Sequence, residues 1–266
     1  MIGMYKSIFF KTIYEKRWGV LGWSLTIFTF MLFVVVLFPT FKDTFGASME
    51  NMPESLKTIL GERIDYQRIE GFVEIQGFMQ MVFLTFVYGI ILFTGLIAGE
   101  EGEGTLQTLL AQPVSRSRVY LEKLLAGTAI LGIVSLAMAI AVFLGVAIID
   151  ESISFVRVLQ ATFMQWLVAM VLSMLGYAIG AATGRRGLAG AIAGLFAFIS
   201  YTVTALAVTI TALRIVNYVS PFRYFNNTHI LSTGLHMNNV IVLAVVCLIL
   251  AVLGWVIFIK RDIYFK

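Results

Sequence analysis

Six stretches of this chain contain no Asp, Glu, Lys or Arg. They lie between Arg17 and Lys42, Glu74 and Glu100, Lys123 and Asp150, Arg157 and Arg185, Arg186 and Arg214, and Arg223 and Lys260, and they are 24 to 36 residues long. A helix crossing the hydrocarbon core of a bilayer needs about 20 apolar residues, so each stretch is long enough. Charged residues make up 13% of the chain and hydrophobic ones 59%, whereas a soluble domain carries about 25% charged residues. This balance excludes a soluble enzyme, a disordered chain, a secreted disulfide scaffold and a nucleic-acid-binding domain. The single cysteine, Cys247, rules out an intrachain disulfide. The runs are apolar on all sides and do not alternate as barrel strands do. Backbone groups in hydrocarbon must bond within their own segment. The expected fold is therefore an all-α polytopic membrane protein with six transmembrane helices.

We place one transmembrane domain over 1–266, with spans at 18–38, 78–98, 124–149, 158–182, 188–213 and 239–259. An even number of spans puts both termini on one side. That side would carry 12 of the 19 Lys and Arg residues, among them Lys11, Arg116, Arg118, Lys123, Arg185, Arg186 and Lys260. The positive-inside rule makes it cytoplasmic, in the plasma (inner) membrane. The first apolar run is too long for a signal peptide, and no small-x-small cleavage site follows it. Residues 1–17, with Ile2, Phe9, Phe10 and Ile13 among lysines, read as an interfacial helix. On the outer side, Met52-Pro53 to Gly61 reads as a short surface helix, with proline at its start and glycine at its stop. Residues 214–238 are too polar for a span and read as short helices dipping into the outer leaflet.

The sequence contains no G-x-x-x-x-G-K-[ST], H-E-x-x-H or G-x-S-x-G motif. No carboxylate falls inside an expected span, which argues against an ion-coupled carrier. His229 and His236 are seven apart, which would place them on one helix face. They form either a metal pair lacking nearby Cys or carboxylate ligands, or two polar interfacial residues. No metal site is expected. The small residues Gly176, Gly180, Gly184, Gly190 and Gly194 permit close helix approach, either between the fourth and fifth spans or with a second copy. Ser200, Tyr201 and Thr204, with Thr202, Thr209 and Thr211, form either a lightly polar strip along a substrate path or a set of hydroxyls bonded back to their own helix.

The most specific stretch follows the second span: Gly99-Glu100-Glu101-Gly102-Glu103-Gly104-Thr105-Leu106-Gln107-Thr108-Leu109-Leu110-Ala111-Gln112-Pro113-Val114-Ser115-Arg116. Three glutamates follow a helix C-terminus, where negative charge is locally disfavoured, so a basic partner is expected. Thr105 is a candidate N-cap. Leu106, Leu109 and Leu110 then make an apolar stripe on a helix of two turns, ended by Pro113. So short a helix is marginal alone and should dock, either into a partner or into the lipid surface.

This loop resembles that of the permease subunits of ABC-2-type ABC transporters, which reads approximately E-x-x-x-G-T-L-x-x-L-L-x-x-P-V-S-R with a lysine opening the third helix. The matching residues are Gly104, Thr105, Leu106, Leu109, Leu110, Pro113, Val114, Ser115, Arg116 and Lys123. Glu100 has the motif's spacing to the glycine, and Glu101 is one residue closer. The resemblance implies a transmembrane subunit that is not itself an enzyme, holds no cofactor and works with two separate ATP-binding subunits that carry ATP and Mg. It also implies a second permease copy, identical or related, and a prokaryotic source. On that reading Leu106, Leu109 and Leu110 dock on the ATPase, Glu100, Glu101 and Glu103 pair with its basic residues, and Arg116 orients the loop. The cargo would be a hydrophobic or amphiphilic molecule (a drug, peptide or lipid-like compound) that is exported. The alternatives are an ATP-independent carrier or channel, and a membrane enzyme or sensor using the two histidines.

Overall fold

The computed structural model describes residues 7–50, 68–207, 209–226 and 229–262. Among these the chain is helical, with no strand. Among the described residues, six helices are long and apolar enough to cross a membrane, as the uncharged runs predict.

No proline interrupts the chain from Ser7 to Leu37, and residues Ile8–Val36 form a single helix, α1. Its start is capped twice. The Ser7 hydroxyl accepts the Phe9 N–H at 3.1 Å, and Glu122 Oε2 accepts the same N–H at 3.0 Å. A carboxylate at this end also complements the helix dipole. The expected interfacial helix is therefore not separate: from Ile8 onward it is the first part of α1. Helix α2, Phe38–Glu50, follows almost without a break. Pro39 sits in its first turn, where the missing N–H costs little. The surface helix expected at Met52–Gly61 lies outside the described residues.

Helix α3, Ile69–Gly102, begins earlier and ends later than the expected 78–98. It contains two wide π-helical turns, Val73–Phe78 and Gly95–Gly99. Such turns often mark functional positions in a helix. After it come α4, Thr105–Leu110, α5, Arg116–Ile148, α6, Phe155–Thr183, and α7, Arg186–Leu206. The fifth span thus stops short of residue 213. Four short pieces then make a corner: α8, Leu213–Val216, a 3-10 turn Asn217–Val219, α9, Arg223–Asn226, and α10, Ile230–Thr233. The last span is α11, Met237–Lys260.

Helix α6 is the central post, packed along α3, α5, α7 and α11. Small residues allow this. A Cβ at Gly176 would lie 3.0 Å from Thr94 Cγ2 and 3.4 Å from Ala193 Cβ, and one at Gly180 would lie 3.3 Å from Ala98 Cβ. The glycines of α6 therefore pack inside the molecule. The face that α7 offers them is alanine (Ala189, Ala193 and Ala197, all buried), while Gly190 and Gly194 meet nothing within 4 Å. Helices α1, α7 and α11 leave much of their apolar surface exposed.

The turns gather at two ends, and the start of α1 and the end of α11 share one of them, as an even number of crossings requires. One end brings together the start of α1, the 99–118 loop, Gly184 to Arg186 and the end of α11. The opposite end holds Lys42 against Glu151 at 3.4 Å and Arg157 against the Leu231 carbonyl at 3.2 Å.

Candidate coupling site

Helix α4 begins at Gly104, whose φ of 75° is left-handed. That conformation costs an L-residue about 1–2 kcal/mol, so glycine fits the turn. Thr105 is thus the first helical residue and not the cap, and its hydroxyl donates to the Glu100 carbonyl at 3.2 Å. Leu106 and Leu109 are 0% and 4% exposed and belong to the main core, and Leu110 is half-buried against it. This corrects the expectation that the leucine stripe is free to dock. The chain covers the stripe itself, because α4 lies flat on the bundle. The side turned outward carries Glu103, Thr105, Thr108 and Ala111, all exposed. Pro113 lies on the exposed turn beyond it.

The glutamates divide in the same way. Glu100 forms an ion pair with Lys123 of α5, whose side chain is 2% exposed. Glu101 pairs with Arg261 just past α11. Both acids therefore find basic partners within the chain, which offsets their placement at a helix end. Only Glu103 makes no ion pair among the described residues. The expected intermolecular pairing of Glu100 and Glu101 is corrected accordingly.

Two further contacts close the clamp. Arg116 donates to the Arg261 carbonyl at 2.6 Å and the Ile259 carbonyl at 3.4 Å. These carbonyls lie at the end of α11, where helix geometry leaves them without partners. Arg116 thereby ties the loop to the chain's own last helix. Gly184 ends α6 at a φ of 67°, and a Cβ there would meet Glu101 Oε1 at 2.5 Å. Beneath the clamp the Tyr177 hydroxyl donates to the Tyr120 carbonyl at 2.8 Å, and the Tyr120 hydroxyl donates to the Ala251 carbonyl at 2.9 Å. These bonds tie α5, α6 and α11 together. Arg186, at the start of α7, lies over Gly95 and Gly99 in the second wide turn of α3. Polar contacts thus tie the end of α3, next to α4, to α5 and α11.

The other expected site residues lie at the opposite end. Ser200 and Thr204 are buried. Thr204 Oγ1 is 2.7 Å from both Asn217 Oδ1 and Ser220 Oγ, and Ser220 Oγ donates to the Ser200 carbonyl at 2.9 Å. These hydroxyls hold the 217–220 turn against α7, so Ser200 and Thr204 do not line an open path. Tyr201 packs its ring edge-on to Phe83 at 4.5 Å and to Phe222 at 5.6 Å. His229 and His236 do not share a helix face: His229 caps α10 and His236 caps α11.

Sequence reasoning missed Lys123 and Arg261 as partners of the glutamates, and it missed Glu74. Helix α3 starts early enough to include Glu74, which is 4% exposed. Its carboxylate accepts the N–H groups of Ile230 at 2.8 Å and Leu231 at 3.2 Å, capping α10. The one available signal was that Glu74 immediately precedes an uncharged run, as Lys123 does.

A family model described as ABC-2 family transporter protein matches residues 8–263. None of the curated proteins compared with the chain matches it.

Proposed function

The chain belongs to the ABC-2 family of transporter proteins, and from this premise we propose that it is the transmembrane half of an ATP-driven exporter. In this reading two separate ATP-binding subunits bind ATP and Mg, and a second permease copy completes the pathway. Helix α4 takes up the movement of the ATPase. The observation that carries the reading is the two-sidedness of α4: Leu106 and Leu109 are anchored in the core, while Glu103, Thr105 and Thr108 face outward. An anchored helix with a free polar edge can pass a push inward, whereas one held only by its partner could not. The Glu100–Lys123, Glu101–Arg261 and Arg116 contacts then distribute that push to three spans. The two arrangements of the bundle shift in population according to their differential contact with the ATPase.

The cargo proposed is hydrophobic or amphiphilic. A cavity of about 440 Å³ between α1–α2 and α3 is lined by Phe30, Phe33 and Phe72, with Thr40, Thr44, Gln76 and Gln80 as polar groups and no charged residue. That lining suits an apolar body with a neutral hydrogen-bonding head.

The test is purification through a tag on this chain. The wild type should retain an ATPase, and Glu103→Lys combined with Thr108→Arg should release it while leaving the permease folded. Retention unaffected by this pair would remove the coupling edge from α4. Transport by the chain alone in liposomes without nucleotide would favour an ATP-independent carrier instead.

A further inference from the structure

A second cavity, of about 410 Å³, lies between α6, α7 and α11. Its walls are hydrocarbon: Val171 and Leu175 from α6, Ile192 and Phe196 from α7, Val246 and Leu250 from α11. Tyr218 and Tyr224 form its rim at the end opposite the coupling loop. The rim is held in place from three sides. The buried Thr204–Asn217–Ser220 knot fixes the turn that carries Tyr218. The Tyr224 hydroxyl donates to the Tyr218 carbonyl at 2.8 Å, and Asn239 Nδ2 of α11 donates to the Tyr224 carbonyl at 3.1 Å. The cavity is therefore part of the fold.

Arg223 lies beside this rim, outside the cavity wall, against the Tyr218 ring that forms part of it. The Arg223 guanidinium lies 3.7 Å over the Tyr218 ring, and among the described residues no carboxylate pairs with it. Stacking on an aromatic face holds the guanidinium plane while leaving its N–H fork free for an anion. Phosphate matches that fork in a bidentate manner. The helices flanking the cavity present exposed Leu195, Phe198, Leu248 and Leu253, an apolar surface suited to hydrocarbon.

We infer that the α6–α7–α11 crevice holds one acyl chain of a bilayer phospholipid, with the lipid phosphate on Arg223. Tail and headgroup are recognised separately, by the apolar walls and by the rim cation. A basic residue at a pocket between spans is the general chemistry of lipid headgroup binding. The occupant proposed is a resident lipid and not the exported cargo.

The experiment uses the full chain purified in a maltoside detergent with whatever subunits it retains. Two photoreactive probes with identical acyl chains are compared: phosphatidylglycerol and diacylglycerol. The phosphate-bearing probe should label peptides from α6, α7 and α11 about fivefold more strongly than the neutral one, the preference that one interfacial cation supplies. Arg223→Gln should reduce it to the level of the neutral probe, and Arg223→Lys should retain most of the preference. Val246→Trp, which fills the crevice, should lower labelling by both probes. Equal labelling by the two probes, or labelling insensitive to Val246→Trp, would overturn the assignment. So would loss of the label during ATP turnover in an assembled transporter, because the lipid would then be cargo.

Discussion

Glu101 and Arg261 form an ion pair across 160 positions of sequence, joining the end of α3 to the foot of the last span. The side chains are 18% and 15% exposed, so the pair is neither fully wet nor fully buried. Exposed pairs contribute up to about 1 kcal/mol, whereas breaking a buried one costs about 3–5 kcal/mol. Removing either partner should cost about 1–3 kcal/mol, between these limits.

The first prediction concerns this pair. Glu101→Gln and Arg261→Gln should each lower thermal stability in detergent and reduce substrate-stimulated ATPase activity of the assembled transporter. The double variant should lose less than the sum, as contacting residues do. Strict additivity in a double-mutant cycle would show that the two residues do not act together.

Gly184 and Gly104 provide a controlled comparison. Both have positive φ, 67° and 75°, but a Cβ at Gly184 would strike the Glu101 carboxylate while one at Gly104 meets nothing. Gly104→Ala should cost only the backbone strain, about 1–2 kcal/mol. Gly184→Ala should cost more, because it also displaces Glu101 from Arg261. Equal losses in thermal melts of the two variants would contradict the geometry.

Leu109→Asp tests which way the short helix faces. Leu109 is 4% exposed within the chain's own core, and an unpaired charge placed there is strongly destabilising. The variant should fall in expression and melting temperature even without any ATPase present. A well-folded Leu109→Asp permease that had lost only its ATPase would restore the leucine face as the docking surface.

Glu74→Ala should loosen the opposite corner. It leaves the Ile230 and Leu231 N–H groups without their acceptor, and each buried unsatisfied group costs about 1–3 kcal/mol. Hydrogen exchange at these two amides should accelerate, while Glu74→Gln, which keeps one acceptor oxygen, should change less. Unaltered exchange in Glu74→Ala would mean that the carboxylate does not hold α10.

The legible parts of this fold follow local rules. An uncharged run such as 124–149 must become a helix if it lies in hydrocarbon, because its backbone has no other partners there. The loop motif from Gly104 to Arg116 singled out the segment that lies against the end of α11, where Arg116 bonds the Ile259 and Arg261 carbonyls. Where the same local reasoning met long-range contacts it went astray. Glu100 and Glu101 read as unfavourable beside a helix end because nothing local to them reveals Lys123 and Arg261. Leu106 and Leu109 looked uncovered because nothing in a two-turn helix shows which surface it lies on. The fifth span ends at Leu206 and not at 213, since the 217–220 knot and not hydropathy sets the corner.

The sequence alone determined the class of molecule, the number of crossings and the family. Bilayer solvation acts on each segment separately, and the loop motif can be read without its neighbours. Only the tertiary structure decided which faces are spent inside and which remain available. It closes Glu100, Glu101 and the leucines inward and leaves Glu103 and Thr108 outward. It also sets Arg223 beside a hydrocarbon crevice built from three helices. Those outcomes depend on ion pairs and hydrogen bonds between distant positions, whose partners meet only when the helices pack.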